Sequence, residues 1–143
     1  VFTQGVKDKG ARLTSTQWRR VLLQVRDSLV LVKGKEQFFF TPQQRSLPKA
    51  ARLLMCPGGQ RVLAMPGKIL YACHADAYSR DFATPIAKVI ETNKPDIIGL
   101  YNGMNVALNV TYQGQVMECP PKGRIPLFEG MTIRIGNNEI QVK

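Results

Sequence analysis

Ser79 and Arg80 stand side by side in the stretch Asp76-Ala77-Tyr78-Ser79-Arg80-Asp81. A hydroxyl and a guanidinium can both bond phosphate oxygens, and phosphate recognition needs such groups at converging loop tips. The same residues also read as a mixed-sign turn with a solvated arginine, and both readings stay open at this level. His74, the one histidine, follows Cys73. A base beside a thiol suggests cysteine chemistry. Neighbours in a strand point to opposite faces, however, and no second orienting group is signalled, so no catalytic role is expected. Cys56, Cys73 and Cys119 are widely spaced and form no C-x-x-C pair. That spacing argues against a metal centre and for buried, reduced thiols in a cytoplasmic protein. Neither a G-x-x-x-x-G-K-[ST] loop nor a G-x-G-x-x-G fingerprint occurs, so no cofactor is expected.

These residues need a scaffold. Pro and Gly recur through the chain after Gly34, with short apolar runs between them such as RVLAM, KILYAC, ALNVTY, MTIRIG and EIQVK. Regular short strands with turn punctuation predict a mainly β fold, an antiparallel sandwich or barrel. Thr132–Gly136 and Glu139–Lys143 alternate cleanly, so each strand sets one face on a core. Gly136–Asn138 and Pro57-Gly58-Gly59 supply the turns of two hairpins. One N-terminal α-helix precedes this region, capped by Ser15 or Thr16. Its apolar face is Trp18, Val21, Leu22, Val25 and Leu29, with Arg19, Arg20 and Arg26 turned elsewhere. The β-branched tail SLVLV predicts that the helix ends early and passes into a strand.

Two domains follow: residues 1–48, a basic segment with an amphipathic helix, and residues 49–143, the β-sandwich. Residues 1–13 read as a linker or loop, and Val1 as the start of an excised or processed chain. The net charge is +10, and residues 1–35 carry eight basic and two acidic side chains. That bias suits an acidic partner or a nucleic-acid backbone, or it is a solvated face. Phe38, Phe39 and Phe40 with Arg45 have the composition of a base-stacking platform, but their strand-like run predicts core packing. Lys68 and Lys88 read as added positive field or as protection of a strand edge. No run of eighteen apolar residues exists, so no membrane span is expected.

The order of parts resembles the forkhead-associated (FHA) domain over roughly residues 50–143. The stretch IIGLYN looks like that family's strand leading to its loop asparagine, and PLFEGMTIRIGNNEIQV looks like its closing pair of strands. The likeness is degenerate: no Gly-Arg follows the early strand, and residues 79–82 read Ser-Arg-Asp-Phe where the family carries Ser-x-x-His. The loop motif survives as an echo in Asn102-Gly103-Met104-Asn105-Val106. The resemblance implies an FHA-like antiparallel β-sandwich that binds phosphothreonine peptides through loops at one end. It implies that Ser79 and Arg80 meet the phosphate while Asn102 and Asn105 hold the adjacent peptide backbone. The other reading of Asn102-Gly103 is a plain turn. The expected function is a non-catalytic protein-interaction module of a larger signalling protein, with a protein partner phosphorylated on threonine. The alternative is a nucleic-acid-binding module using the basic N-terminal segment.

Overall fold

The computed structural model describes residues 12–32, 35–38 and 49–143, at 30–32 and 35–38 through the backbone. The readings of residues 1–11 as a linker, of Phe38–Phe40 as core and of Arg45 as a stacking partner lie outside what is described. Helix α1 runs Ser15–Ser28 and passes directly into β1 (Leu29–Val32), which pairs with β2 (Lys35–Phe38) as a separate hairpin. The early end of the helix is therefore as the β-branched tail predicts. Its N-cap is Thr14, one residue before the expected Ser15. The Gln17 backbone N–H donates to Thr14 Oγ1 at 3.2 Å, and the Thr14 N–H donates to Gln17 Oε1 at 2.7 Å. This reciprocal pair satisfies two donors that a helix start otherwise leaves orphaned.

Ten further strands among the described residues build two antiparallel sheets, so the fold is mainly β with one N-terminal helix and is sandwich-like. The first sheet joins β3 (Arg52–Met55), β4 (Arg61–Ala64), β8 (Leu108–Tyr112), β9 (Gln115–Cys119), β11 (Thr132–Ile135) and β12 (Asn138–Val142), in the order β4-β3-β12-β11-β8-β9. The second joins β5 (Ile69–Tyr71), β6 (Pro85–Glu91), β7 (Ile98–Asn102) and β10 (Arg124–Pro126), in the order β10-β7-β6-β5. Alternate residues of both sheets fill one core: Leu54, Val62, Val110, Ile133 and Ile140 from the first, and Leu70, Val89 and Leu100 from the second. In β4 the other face is buried as well, through Leu63. Helix α1 and strand β1 pack against β4 and account for that second covered face.

Turn chemistry sets the register. Gln113 and Gly114, both at positive φ, join β8 to β9, and Gly136, at φ +60°, opens the two-residue link from β11 to β12. These are conformations that two-residue hairpins require. The strand directions bring the segments 56–60, 72–84, 103–107, 120–123 and 136–137 to one end of the molecule. The 72–84 segment begins with a single helical turn, α2 (Ala72–Ala75). His74 thus lies on a helical turn and not in a strand.

The helix docks differently from its apolar pattern. Val21, Leu22 and Val25 are exposed, Leu22 at 61%, while Asp27 is buried and Leu23 and Arg26 are half-buried. Trp18 and Leu29 of the expected apolar face are half-buried, so the covered side is part apolar and part polar. It works through directional bonds: Arg26 Nη1 donates to Phe82 O at 2.7 Å, and Lys68 Nζ donates to Arg26 O at 2.6 Å and to Leu29 O. Lys68 therefore serves the last carbonyls of the helix instead of guarding a strand edge. Lys88 lies on β6, between β5 and β7, and is not on an edge strand either.

Candidate functional site

The loop 76–84 is built by its own short polar side chains. Asp76 Oδ1 accepts the Tyr78 N–H at 2.9 Å, and Ser79 Oγ accepts the Asp81 N–H at 3.1 Å. Asp81 Oδ1 accepts from the Ala83 N–H at 3.1 Å and the Thr84 N–H at 2.9 Å. Each bond closes a tight local turn of the type that Asp and Ser favour. Hydrogen bonds from the Thr84 side chain and then from backbone N–H groups hold the Asp81 carboxyl below its usual range. The two aspartates are thus occupied with loop backbone, and no group of side chains able to hold a metal ion occurs among the described residues. Ser79 uses an acceptor lone pair in its bond, so its O–H proton stays available as a donor.

The helix pins this loop from outside. Arg26 bonds Phe82 O and lies over the Tyr71 ring at 4.1 Å, and Arg19 lies over the Phe82 ring at 5.3 Å. Between helix and loop opens a cleft of about 600 Å³. Arg19, Arg20 and Thr16 line it from α1, Ser79 and Arg80 from the loop, and Gly58 and Gly59 from the turn after β3. Asp27 also borders it, but its carboxylate is engaged by His74 Nε2 at 3.0 Å and by Arg26 Nε at 3.6 Å. Three guanidinium groups against one satisfied carboxylate make the cleft positive. Cys73 borders it as well. Burial is the largest influence on its thiol and raises its pKa, against the opposing pull of Arg26. That direction is the opposite of what an activated nucleophile needs.

The structure brings Ser79 and Arg80 into one cleft. Asn102 and Asn105 stand outside it, on the neighbouring loop at the same end. The loop after β7 is tied to β6 through backbone: the Gly103 N–H donates to Ile86 O at 2.9 Å. Asn102 is fully buried. Its amide nitrogen donates toward Val106 O at 2.8 Å and toward Cys119 O and Pro120 O, both at 3.2 Å. Its Oδ1 accepts the Met104 N–H at 3.0 Å. Every polar atom of the side chain is engaged in shaping the loop, so Asn102 is a strut and Asn105, which is exposed, is the loop's outward amide. Lys122, at φ +61° and exposed, adds a cation nearby, and its N–H donates to Asn102 O at 2.9 Å.

Arg19, Arg20 and Thr16 join the site without having been expected there. The signal for them is the stripe Thr16, Arg19, Arg20, Leu23, Asp27, polar except for Leu23, which recurs at helical spacing as regularly as the apolar stripe does. No family model matches the chain, and neither a curated protein nor a solved structure matches it.

Proposed function

We propose that the chain is a non-catalytic protein-interaction module that binds a peptide phosphorylated on threonine, as the FHA-like order of its parts implies. One observation carries the reading: Ser79 and Arg80 line the same cleft as Arg19 and Arg20, at an end of the sandwich where several loops converge. A phosphate there meets a free hydroxyl donor and guanidinium forks, the donors that bind it best. Asn105 and Lys122 stand on loops at the same end of the sandwich.

The test is a titration of a degenerate phosphothreonine peptide library beside its unphosphorylated copy. Micromolar, phosphate-dependent binding that Arg80→Ala removes is the expected result. Equal binding of both libraries overturns it and leaves an unmodified partner. Mixed-sequence nucleic acid at two salt concentrations is the control arm. Binding there that weakens steeply with salt would move the function to the basic N-terminal segment, since neutralising phosphates releases counterions.

A further inference from the structure

The cleft has two walls of like charge, and they belong to different elements. On the loop wall, Arg80 stands next to the Ser79 hydroxyl. On the helix wall stand Arg19, held over Phe82, and Arg20. Arg20 and Arg80 form no ion pair or hydrogen bond among the described residues. Two unengaged guanidinium groups on facing walls repel one another, and one anion seated on a single wall leaves the other uncompensated. A volume of about 600 Å³ has room for a phosphate and one adjoining side chain, but not for a folded partner.

We infer that the helix wall is a second anion seat, and that the cleft selects phosphopeptides carrying an acidic side chain beside the phosphorylated residue. This rests on the phosphopeptide reading above. The phosphate takes Ser79 and Arg80, and the flanking carboxylate takes Arg20, with Arg19 adding field from its stacked position. The floor carboxylate of Asp27 does not compete, because His74 and Arg26 already hold it. The selectivity belongs to the docked helix, so the sandwich loops alone would lack it.

The experiment uses the full chain, its Arg20→Gln and Arg80→Gln variants, and four peptides of one sequence. The peptides carry threonine or phosphothreonine, with aspartate or alanine at the flanking position. The expected result is that aspartate tightens the phosphopeptide about fivefold, as one partly exposed ion pair would. Arg20→Gln abolishes that gain and keeps the phosphate preference, while Arg80→Gln does the reverse. High salt shrinks the aspartate gain. An aspartate gain that survives Arg20→Gln overturns the inference and leaves the phosphopeptide reading standing. Aspartate-dependent binding that needs Arg20 but ignores phosphate supports the helix seat and overturns the phosphate reading. Binding of none of the four overturns both. Arg20 is exposed and bonds nothing described, so circular dichroism should show the Arg20→Gln variant folded as the parent is.

Discussion

His74 Nε2 donates to Asp27 Oδ1 at 3.0 Å, joining residues 47 apart in the sequence inside a region closed to solvent. The direction of this bond follows from the other ring nitrogen. His74 Nδ1 accepts the Tyr71 backbone N–H at 2.9 Å, so the ring proton sits on Nε2. The pair fastens α1 to the one-turn helix α2, from which the loop of Ser79 and Arg80 departs. Arg26 and Lys68 add further bonds across the same seam. The helix is therefore held in one register by directional polar contacts, while Val21, Leu22 and Val25 face outward.

Removing either partner of that pair leaves the other buried without its match. Asp27→Ala and His74→Ala are each expected to cost about 3 kcal/mol. The double variant should cost less than the sum, with a coupling of about 1 kcal/mol or more. Urea unfolding of the four proteins measures this cycle. Additive losses would mean that the hydrogen bond contributes nothing beyond the separate packing of the two side chains.

Asn102 is the corresponding strut of the neighbouring loop. Asn102→Ala removes the side-chain donor from three carbonyls, of which Pro120 O keeps the Gly123 N–H, and the acceptor from one N–H, for an expected loss of about 2–4 kcal/mol. Asn102→Asp keeps the size but removes both donors and turns a carboxylate toward carbonyl oxygens, so it should be no less damaging. Asn105→Ala should leave the melting temperature unchanged. A peptide-binding defect in Asn105→Ala would then report contact with ligand, where a defect in Asn102→Ala reports a displaced loop.

The strands are legible in the sequence because their signals are local. MTIRIG and EIQVK alternate, and the glycine between them sits where a two-residue hairpin needs a positive φ. The site is half legible. Ser79-Arg80 announces itself through residue type, but Arg19 and Arg20 join it through the way α1 docks, which no local pattern fixes. Periodicity favours Trp18, Val21, Leu22, Val25 and Leu29 as the buried face, and of these Trp18 and Leu29 are half-buried while the other three are exposed. The long-range bonds of Arg26 and Asp27 with residues 71–82 favour the opposite side, and in the fold those bonds prevail. Asn102 is legible as a special position but not as a buried one, because its three carbonyl partners come from residues 106, 119 and 120.

Alkaline pH should pull stability in two directions. Burial lowers the Lys68 ammonium to about 8, from an ordinary 10.5. Between those values the unfolded chain holds more protons than the folded one, so Lys68 makes unfolding harder as pH rises. Lys68→Met should lack that rise. Burial pushes the Cys56 thiol up from 9.0 to about 12. Above pH 9 the unfolded chain releases that proton and the folded chain keeps it, so Cys56 costs stability as pH climbs. From pH 8 to 10 the parent should lose about 1 kcal/mol more than Cys56→Ala does. Denaturant midpoints across that range measure both slopes. A Cys56→Ala curve parallel to the parent's would mean that the thiol ionises in the fold as easily as in water.

The turn at Gly58 and Gly59 offers a paired test of the cleft's geometry. Both glycines adopt left-handed backbone, at φ +75° and +78°, so alanine at either position is strained by about 1 kcal/mol. Only at Gly58 would the added carbon collide with another segment, since it would lie 2.8 Å from Ala77 Cβ. Ala77 is backbone-linked to the loop of Ser79 and Arg80 and cannot give way as a flexible side-chain tip would. Gly58→Ala should therefore cost more than Gly59→Ala, displace the loop wall and weaken the phosphopeptide binding proposed above. Gly59→Ala, with nothing within 4 Å of its new carbon, should lose stability alone and keep the parent's affinity. Thermal melts and peptide titrations on the two variants separate these effects. Equal affinities would show that the position of Ala77 does not set the width of the cleft.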